Sequence, residues 1–472
     1  MLALRVAAAA GCSLTPPPGS PATGKAFASC ADASLMQVDS AVEAAAAAQP
    51  GWAALTLDER KATMANAKVA LLAAKADLAP LLVREQGKPL NQAEGEIDGC
   101  AMLLQRCIDL EMPEDVYSED ETRKIVAVRR PVGVIACICP WNYPLFTSLQ
   151  KWAPALVIGN AVVVKPSPFT PLSTLALAVV LKDVFPAGTF NVVSGADGGE
   201  FNAGARLTAH PLVRKVSFTG SIATGKKIYG VAAPDMKNVT LECGGNDAAI
   251  VRADADVATA CKGIFGSAFA NSGQLCCAAK RVFVHESLLE EFKAEAVKLA
   301  GEAKFDEGFA QGVTHGPINN KMQFERVSAL VEDARAAGAE ILCGGKRMAP
   351  NGEAESFFYA PTIICGVAEG TRVVDEEQFG PVMPIMSFAD DAEAIRRAND
   401  TMFGLGGSVW GKDVAAANAM AGQVHAGTVW VNQHSDLTGA PFGGFKWSGI
   451  GRELGKSDIE AFSETQTLSL AK

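Results

Sequence analysis

Histidine is scarce in this sequence, with five residues in 472: His210, His285, His315, His425 and His434. None is spaced with cysteine as a zinc site requires, so no metal ligand set is legible. Long apolar runs are missing too. No window of about 18 apolar residues occurs, and no transmembrane helix is expected. Basic residues are outnumbered, 42 Lys and Arg against 52 Asp and Glu for a net charge of −10, which argues against nucleic acid or an anionic membrane as partner. CxxC pairs are absent. The 12 cysteines are scattered through a chain long enough to fold unaided. They read as free thiols in a reducing compartment, the cytoplasm first, and not as a disulfide framework. Residues 1–31 lack Asp and Glu, which leaves open an organellar (plastid or mitochondrial) targeting segment or a frayed start.

What is present points to several domains, because single cores stop growing near roughly 250–300 residues. Residues 33–112 read as helices. Thr56 and Glu59 make a capping box ahead of the apolar spacing in Met64–Leu78, with Pro80 expected to close that helix. From residue 125 short apolar strands alternate with helical stretches: Val132–Cys139, Ala161–Lys165, a helix Leu172–Val184, Thr189–Val193, Lys215–Phe218, Val239–Glu242, Ala248–Val251 and a helix Val257–Phe269. Such alternation is the signature of βαβ units and parallel sheets covered on both faces. The style repeats with Arg281–His285, helices Ser287–Ala303 and Asn320–Ala337, and Ile341–Cys343. Glu114–Lys124 is acidic and polar, an expected exposed hairpin outside the main sheet.

Several stretches could carry chemistry, each with a plainer alternative. Asn271-Ser-Gly-Gln-Leu-Cys276-Cys277 places a cysteine after small polar residues, yet a lone cysteine is more often buried and inert. Glu242 ends an apolar strand just before two glycines, either as a solvated turn residue or as an acid/base group aimed into a cleft. In Pro140-Trp-Asn-Tyr-Pro144 two prolines stiffen a turn, which would fix the Asn142 amide as an oxyanion donor, although asparagine also serves turns locally. Phe218-Thr-Gly220-Ser-Ile-Ala-Thr-Gly225-Lys-Lys227 departs from a P-loop because Lys227 replaces the magnesium-binding hydroxyl. A helix N-terminus suited to a dinucleotide pyrophosphate survives, without a GxGxxG fingerprint.

Taken in order, Pro140–Pro144, Lys165-Pro-Ser, Phe218-Thr-Gly-Ser, Leu241-Glu-Cys-Gly-Gly, Gly273-Gln-Leu-Cys276, Glu376-Glu-Gln-Phe-Gly-Pro-Val382 and Pro441-Phe-Gly-Gly-Phe-Lys-Trp-Ser-Gly-Ile-Gly-Arg-Glu453 resemble the NAD(P)-dependent aldehyde dehydrogenase superfamily, from about Ser20 onward. The resemblance implies an α/β fold with two parallel-sheet α/β domains and a small oligomerisation sheet. Residues 1–112 and 131–243 would bind the dinucleotide, 244–458 would be catalytic, and 113–130 with 459–472 would join subunits into a homodimer or homotetramer. It implies Cys276 as the nucleophile attacking an aldehyde to give a thiohemiacetal. Asn142 and the Cys276 N–H would hold the oxyanion. Hydride transfer to the nicotinamide would leave a thioester, which water activated by Glu242 hydrolyses. Lys151 and Glu453 match the proton relay. Trp141, Lys165, Gly220 and Ser221 match adenosine and pyrophosphate contacts, and Glu377 and Phe379 match the nicotinamide-ribose end.

Departures matter as well. The glutamate usual three residues after Lys165 is Pro168 here, which removes a ribose acceptor and a repulsion against a 2′-phosphate. NAD with NADP tolerated is therefore expected. Glu242 favours hydrolysis over acyl transfer to coenzyme A, where a thiol resolves the thioester. A coenzyme A-acylating semialdehyde dehydrogenase is the alternative enzyme, and a non-catalytic binding protein of the same fold is the alternative from another class. Cys277 beside the nucleophile is read as pocket lining, since adjacent cysteines bridge only with strained geometry. The shortened N-terminus leaves the first strand pair of the fold in question.

Overall fold

Valine-rich segments such as Ala161–Lys165 have no polar face, so they become strands only where both faces of a sheet are covered. The computed structural model describes residues 13–14, 19–112, 114–196, 202–434 and 439–472. It contains two such sheets. One has six strands in the order Gly449–Ile450, Asn238–Glu242, Val213–Thr219, Val134–Ile138, Ala161–Lys165, Phe190–Val192. All its pairings are parallel except that of Gly449–Ile450. Ile135, Cys137, Val162 and Val164 pack on the helices between Leu57 and Ile158. Their neighbours Val134, Ala136, Ala161 and Val163 pack on the opposite face against helices Leu35–Ala53, Ala203–Ala209 and Ile222–Ala232.

The second sheet has seven strands in the order Glu340–Cys343, Thr362–Cys365, Val382–Phe388, Ala279–His285, Asp247–Val251, Gly406–Trp410, Thr428–Val431. Only its first pairing is antiparallel. Ala248 and Ile250 face one core, Ala249 and Val251 the other. A three-stranded antiparallel sheet stands apart, with Arg123–Pro131 between Asp115–Glu119 and Ser463–Ala471. The hairpin expected at 114–124 is thus real, and Ser463–Ala471 pairs with its second strand.

Three expectations need adjustment. Pro80 does not close a helix: Leu57–Ala73 ends at Ala74, and Pro80 lies inside Lys75–Gln86. Leu78, Leu81 and Leu82 are buried around it, and that packing holds the turn against the roughly 3 kcal/mol an interior proline costs. The helix from Leu172 stops at Val180 instead of Val184, because exposed Lys182 and Asp183 offer no packing for another turn. A first strand pair exists but is short, Ser13–Leu14 against Ala31–Asp32. The question of a targeting segment lies outside the described residues. Among those residues no helix is long and apolar enough to cross a membrane.

Candidate active site

Four neighbouring strands of the six-stranded sheet end at one crevice. Val134–Ile138 runs into Trp141 and Asn142, Ala161–Lys165 ends on Lys165, Val213–Thr219 leads to Gly220 and Ser221, and Asn238–Glu242 ends on Glu242. The chain moves outward from Val134–Ile138 through the two following strands, then returns to Val213–Thr219 on its other side. Ligand crevices form outside the carboxyl ends of strands at such a reversal. Beyond Gly244 and Gly245 the chain enters the seven-stranded sheet at Asp247, and Cys276 and Cys277 lie just before the adjacent strand Ala279–His285.

The cysteine loop is bound to the proline-flanked turn in both directions. Asn271 Nδ2 donates to the Asn142 carbonyl at 3.0 Å, and Asn142 Nδ2 donates to the Gln274 carbonyl at 3.0 Å. Asn271 and Ser272 take left-handed φ values of 48° and 57° to make this possible. An amide nitrogen carries two hydrogens, so one remains for an oxyanion. Cys276 is a free, partly exposed thiol. A hydrogen bond with Cys276, then burial, pushes the neighbouring Cys277 thiol well up. Burial pushes Cys139, Cys243 and Cys261 up to about 12, which makes them poor nucleophiles.

Glu242 is buried, and neither carboxylate oxygen accepts a hydrogen bond from a described residue. Gly443 makes room for it, since a Cβ there would lie 2.6 Å from Glu242 Oε1. Burial pushes the Glu242 carboxyl well above the ordinary carboxylate range; Glu453 adds to this and Lys151 opposes it. Lys151 Nζ meets Glu453 Oε1 at 2.6 Å, and Ser217 Oγ donates to the same oxygen at 3.0 Å. Burial alone would lower Lys151, but Glu453 and Cys139 outweigh it and the ammonium is held above its usual range.

The residues expected to hold a dinucleotide line the same strand ends. Gly220 donates its N–H to the Glu242 carbonyl at 3.0 Å, and Ser221 caps helix Ile222–Ala232 by accepting from Thr224 N–H. Lys165 is buried with Nζ 3.4 Å from the Pro166 carbonyl. Trp141 and Phe379 meet edge to face with centroids 5.2 Å apart. Glu377 Oε1 accepts from Gly245 N–H at 3.0 Å, and burial pushes its carboxyl to about 7. A Cβ at Gly244 would stand 2.2 Å from Glu377 Oε2, so a larger residue there would have to displace that carboxyl. A helix N-terminus, an ammonium, a carboxyl and two rings at strand ends fit the phosphates, a ribose and a flat ring of a dinucleotide. Among the described residues no cluster of three or more His, Cys, Asp or Glu could hold a metal ion.

Sequence reasoning missed two buried pairs beside this set. Lys88 Nζ meets Glu96 Oε2 at 2.6 Å with both side chains fully buried. His434 Nε2 donates to the Cys277 carbonyl at 3.0 Å, and the same nitrogen is 3.5 Å from Asp247 Oδ2. Trp410 Nε1 donates to Ser408 Oγ at 2.9 Å, and the same hydroxyl lies 2.7 Å from His434 Nδ1. Nothing in the spacing of these residues signals burial. Only Gly87-Lys88-Pro89, a charge between two chain breakers, hints at a special position.

A thiol at a loop end facing strand ends that fit a dinucleotide defines an oxidoreductase working through a covalent sulfur adduct. The chain belongs to the aldehyde dehydrogenase family, whose model matches residues 16–468. It is 36% identical over 462 residues to the NADP-dependent succinate-semialdehyde dehydrogenase GabD of Escherichia coli, covering 95% of this chain and 93% of that protein. It is 36% identical over 463 residues to a glutarate-semialdehyde dehydrogenase of Pseudomonas putida, covering 96% and 93%. The structure of betaine aldehyde dehydrogenase from Staphylococcus aureus in complex with NAD+ matches with a TM-score of 0.93 at 31% identity, covering 97% of this chain and 91% of that one.

Proposed function

We propose that this chain oxidises an aldehyde to a carboxylic acid by the hydrolytic route, with Cys276 as nucleophile and Glu242 as the base that activates water. The observation that carries the reading is the buried Glu242 carboxylate, with no hydrogen-bond donor among the described residues. A base must keep a lone pair open, and burial raises its affinity for a proton. The Cys276 sulfur, which is partly exposed, loses its proton to solvent and adds to the carbonyl carbon. The oxygen that becomes anionic takes the second Asn142 N–H and the Cys276 backbone N–H, and each such donor is worth roughly 3 kcal/mol. When bound, NAD(P)+ supplies the hydride acceptor that turns the thiohemiacetal into a thioester. Glu242 then takes a proton from water as the water oxygen attacks the thioester carbon. The sulfur leaves, the acid is released, and the proton reaches Glu453 by way of Lys151, whose ammonium gives one of its own protons to Glu453 as it takes the one from Glu242.

Trp141, Lys165, Gly220, Ser221, Glu377 and Phe379 are the residues we assign to the dinucleotide. Pro168 supports tolerance of both NAD and NADP with NAD ahead, because no carboxylate stands there to hold a ribose or repel a 2′-phosphate. One relative is named for NADP and one structural neighbour was solved with NAD+, which fits that tolerance. In our reading residues 1–112 with 131–243 form the dinucleotide domain and 244–458 the catalytic domain. The segments 113–130 and 459–472 pair across subunits in a homodimer or homotetramer, which would cover the exposed edge strand Ser463–Ala471. A reducing compartment, the cytoplasm first, suits the free thiols.

The test is a panel led by succinate and glutarate semialdehydes and betaine aldehyde, followed by absorbance of the reduced cofactor with and without coenzyme A. Reduction without coenzyme A is expected. A strict requirement for it overturns the hydrolytic route, and silence with every aldehyde overturns catalysis. A preference of about a thousandfold for NAD over NADP overturns the tolerance.

A further inference from the structure

Lys88 stands behind the turn that carries Asn142. Its ammonium has three donors, and the structure accounts for each. One meets Glu96 Oε2 at 2.6 Å, one donates to the Asn142 carbonyl at 3.0 Å, and the Nζ lies 3.7 Å from the centroid of the Tyr143 ring. Glu96 uses its other oxygen to accept from Leu145 N–H at 2.9 Å and Phe146 N–H at 3.1 Å, both in the first turn of helix Pro144–Ile158. One ion pair therefore grips the turn before and after Pro144. Asn271 Nδ2 supplies the second donor to the Asn142 carbonyl, so both acceptor sites of that oxygen are filled.

We infer that Lys88, charge-balanced by Glu96, is a positioning residue for the oxyanion amide of Asn142. Among the described residues its side chain makes no hydrogen bond to Cys276 or to a residue assigned to the dinucleotide; it fixes the main chain from which the amide projects. The burial argues for this role over bulk stability alone. Two charges taken out of water are weak evidence for stability, and an apolar pair of the same volume packs as well. What an apolar pair lacks is a donor for the Asn142 carbonyl. Without that donor the carbonyl keeps only Asn271 and the turn can tilt, and a misplacement of about 1 Å near reacting atoms can cost roughly a hundredfold in rate.

The inference rests on Asn142 as oxyanion donor, and its test separates the two ideas. Single-turnover hydride transfer is measured for Lys88→Met, Asn142→Ala and the double variant, with the dissociation constant of NAD followed by fluorescence. Glu96→Gln serves in the same cycle should Lys88→Met fail to fold. Lys88→Met is expected to slow hydride transfer by roughly 10- to 100-fold with NAD binding unchanged, and by less than about twofold once Asn142 is alanine. Lys88→Arg should recover part of the loss. Equal costs in both backgrounds, or no cost in the first, overturn the role of Lys88 alone. Unimpaired hydride transfer in Asn142→Ala overturns both readings.

Discussion

Lys88–Glu96 and Lys151–Glu453 have the same chemistry and the same 2.6 Å separation, and both are buried. They differ in how completely the ammonium is used. Lys88 is saturated by a carboxylate, a carbonyl and a ring face. Lys151 makes one hydrogen bond among the described residues, to Glu453, beside a Glu242 that accepts none. A saturated ammonium can only hold geometry. One with spare donors, facing an open carboxylate, can change its partners and pass protons. In the proposed roles, the count of engaged donors separates a bracket from a relay, where burial and distance do not.

The largest effect should come from removing what the relay serves. Glu242→Gln should retain a first burst of reduced cofactor and lose steady-state turnover by about a hundredfold or more, as loss of a general base does. Ordinary turnover after the burst would remove Glu242 from deacylation and Lys151–Glu453 from a relay.

Stability comes next. Lys88→Met and Lys151→Met each leave a buried carboxylate without its ammonium, which typically costs about 3–5 kcal/mol. Glu96 keeps two N–H donors and Glu453 keeps Ser217, so both losses should fall near the lower figure in denaturant unfolding. A large gap between them would show that the two ion pairs are not energetically alike.

The smallest effect is the most discriminating. In its proposed role Glu242 works as a carboxylate, so deacylation should fall as pH drops through its pKa, which burial has placed above the ordinary carboxylate range. Lys151 lowers that value and Glu453 raises it. In a pH profile of deacylation, Lys151→Met should therefore move the acid limb to higher pH and Glu453→Gln to lower pH. Lys88→Met should leave it in place. A shift in Lys88→Met as large as in Lys151→Met would erase the distinction.

Much of the frame was readable from residues. Ala161–Lys165 was bounded correctly because a run of valines between turn residues admits one reading, and the strand ends then put Lys165 and Glu242 on one rim. Cys276 and Asn142 were singled out by local motif. Lys88 and Glu96 are not legible in the sequence because they are ordinary charges there, one just before and one within the helix Leu90–Ile108, and their burial depends on elements folded over them. Asp247 and His434 meet only because the seven-stranded sheet leaves a single strand, Gly406–Trp410, between Asp247–Val251 and the strand Thr428–Val431 that His434 follows. Pro80 misled for a related reason: tertiary packing decided what local propensity disfavoured.

The strand Gly449–Ile450 closes the six-stranded sheet against Asn238–Glu242, and Gly443 and Glu453 come from the same stretch. During synthesis Glu242 and Cys276 leave the ribosome long before these partners do. The first sheet must wait with an open edge beside Glu242, the proposed general base, until about two hundred further residues have been made, the kind of long-range closure that folds slowly. Catalytic competence is therefore assembled late and all at once, so a stalled or prematurely ended chain carries the nucleophile without the groups that complete its chemistry.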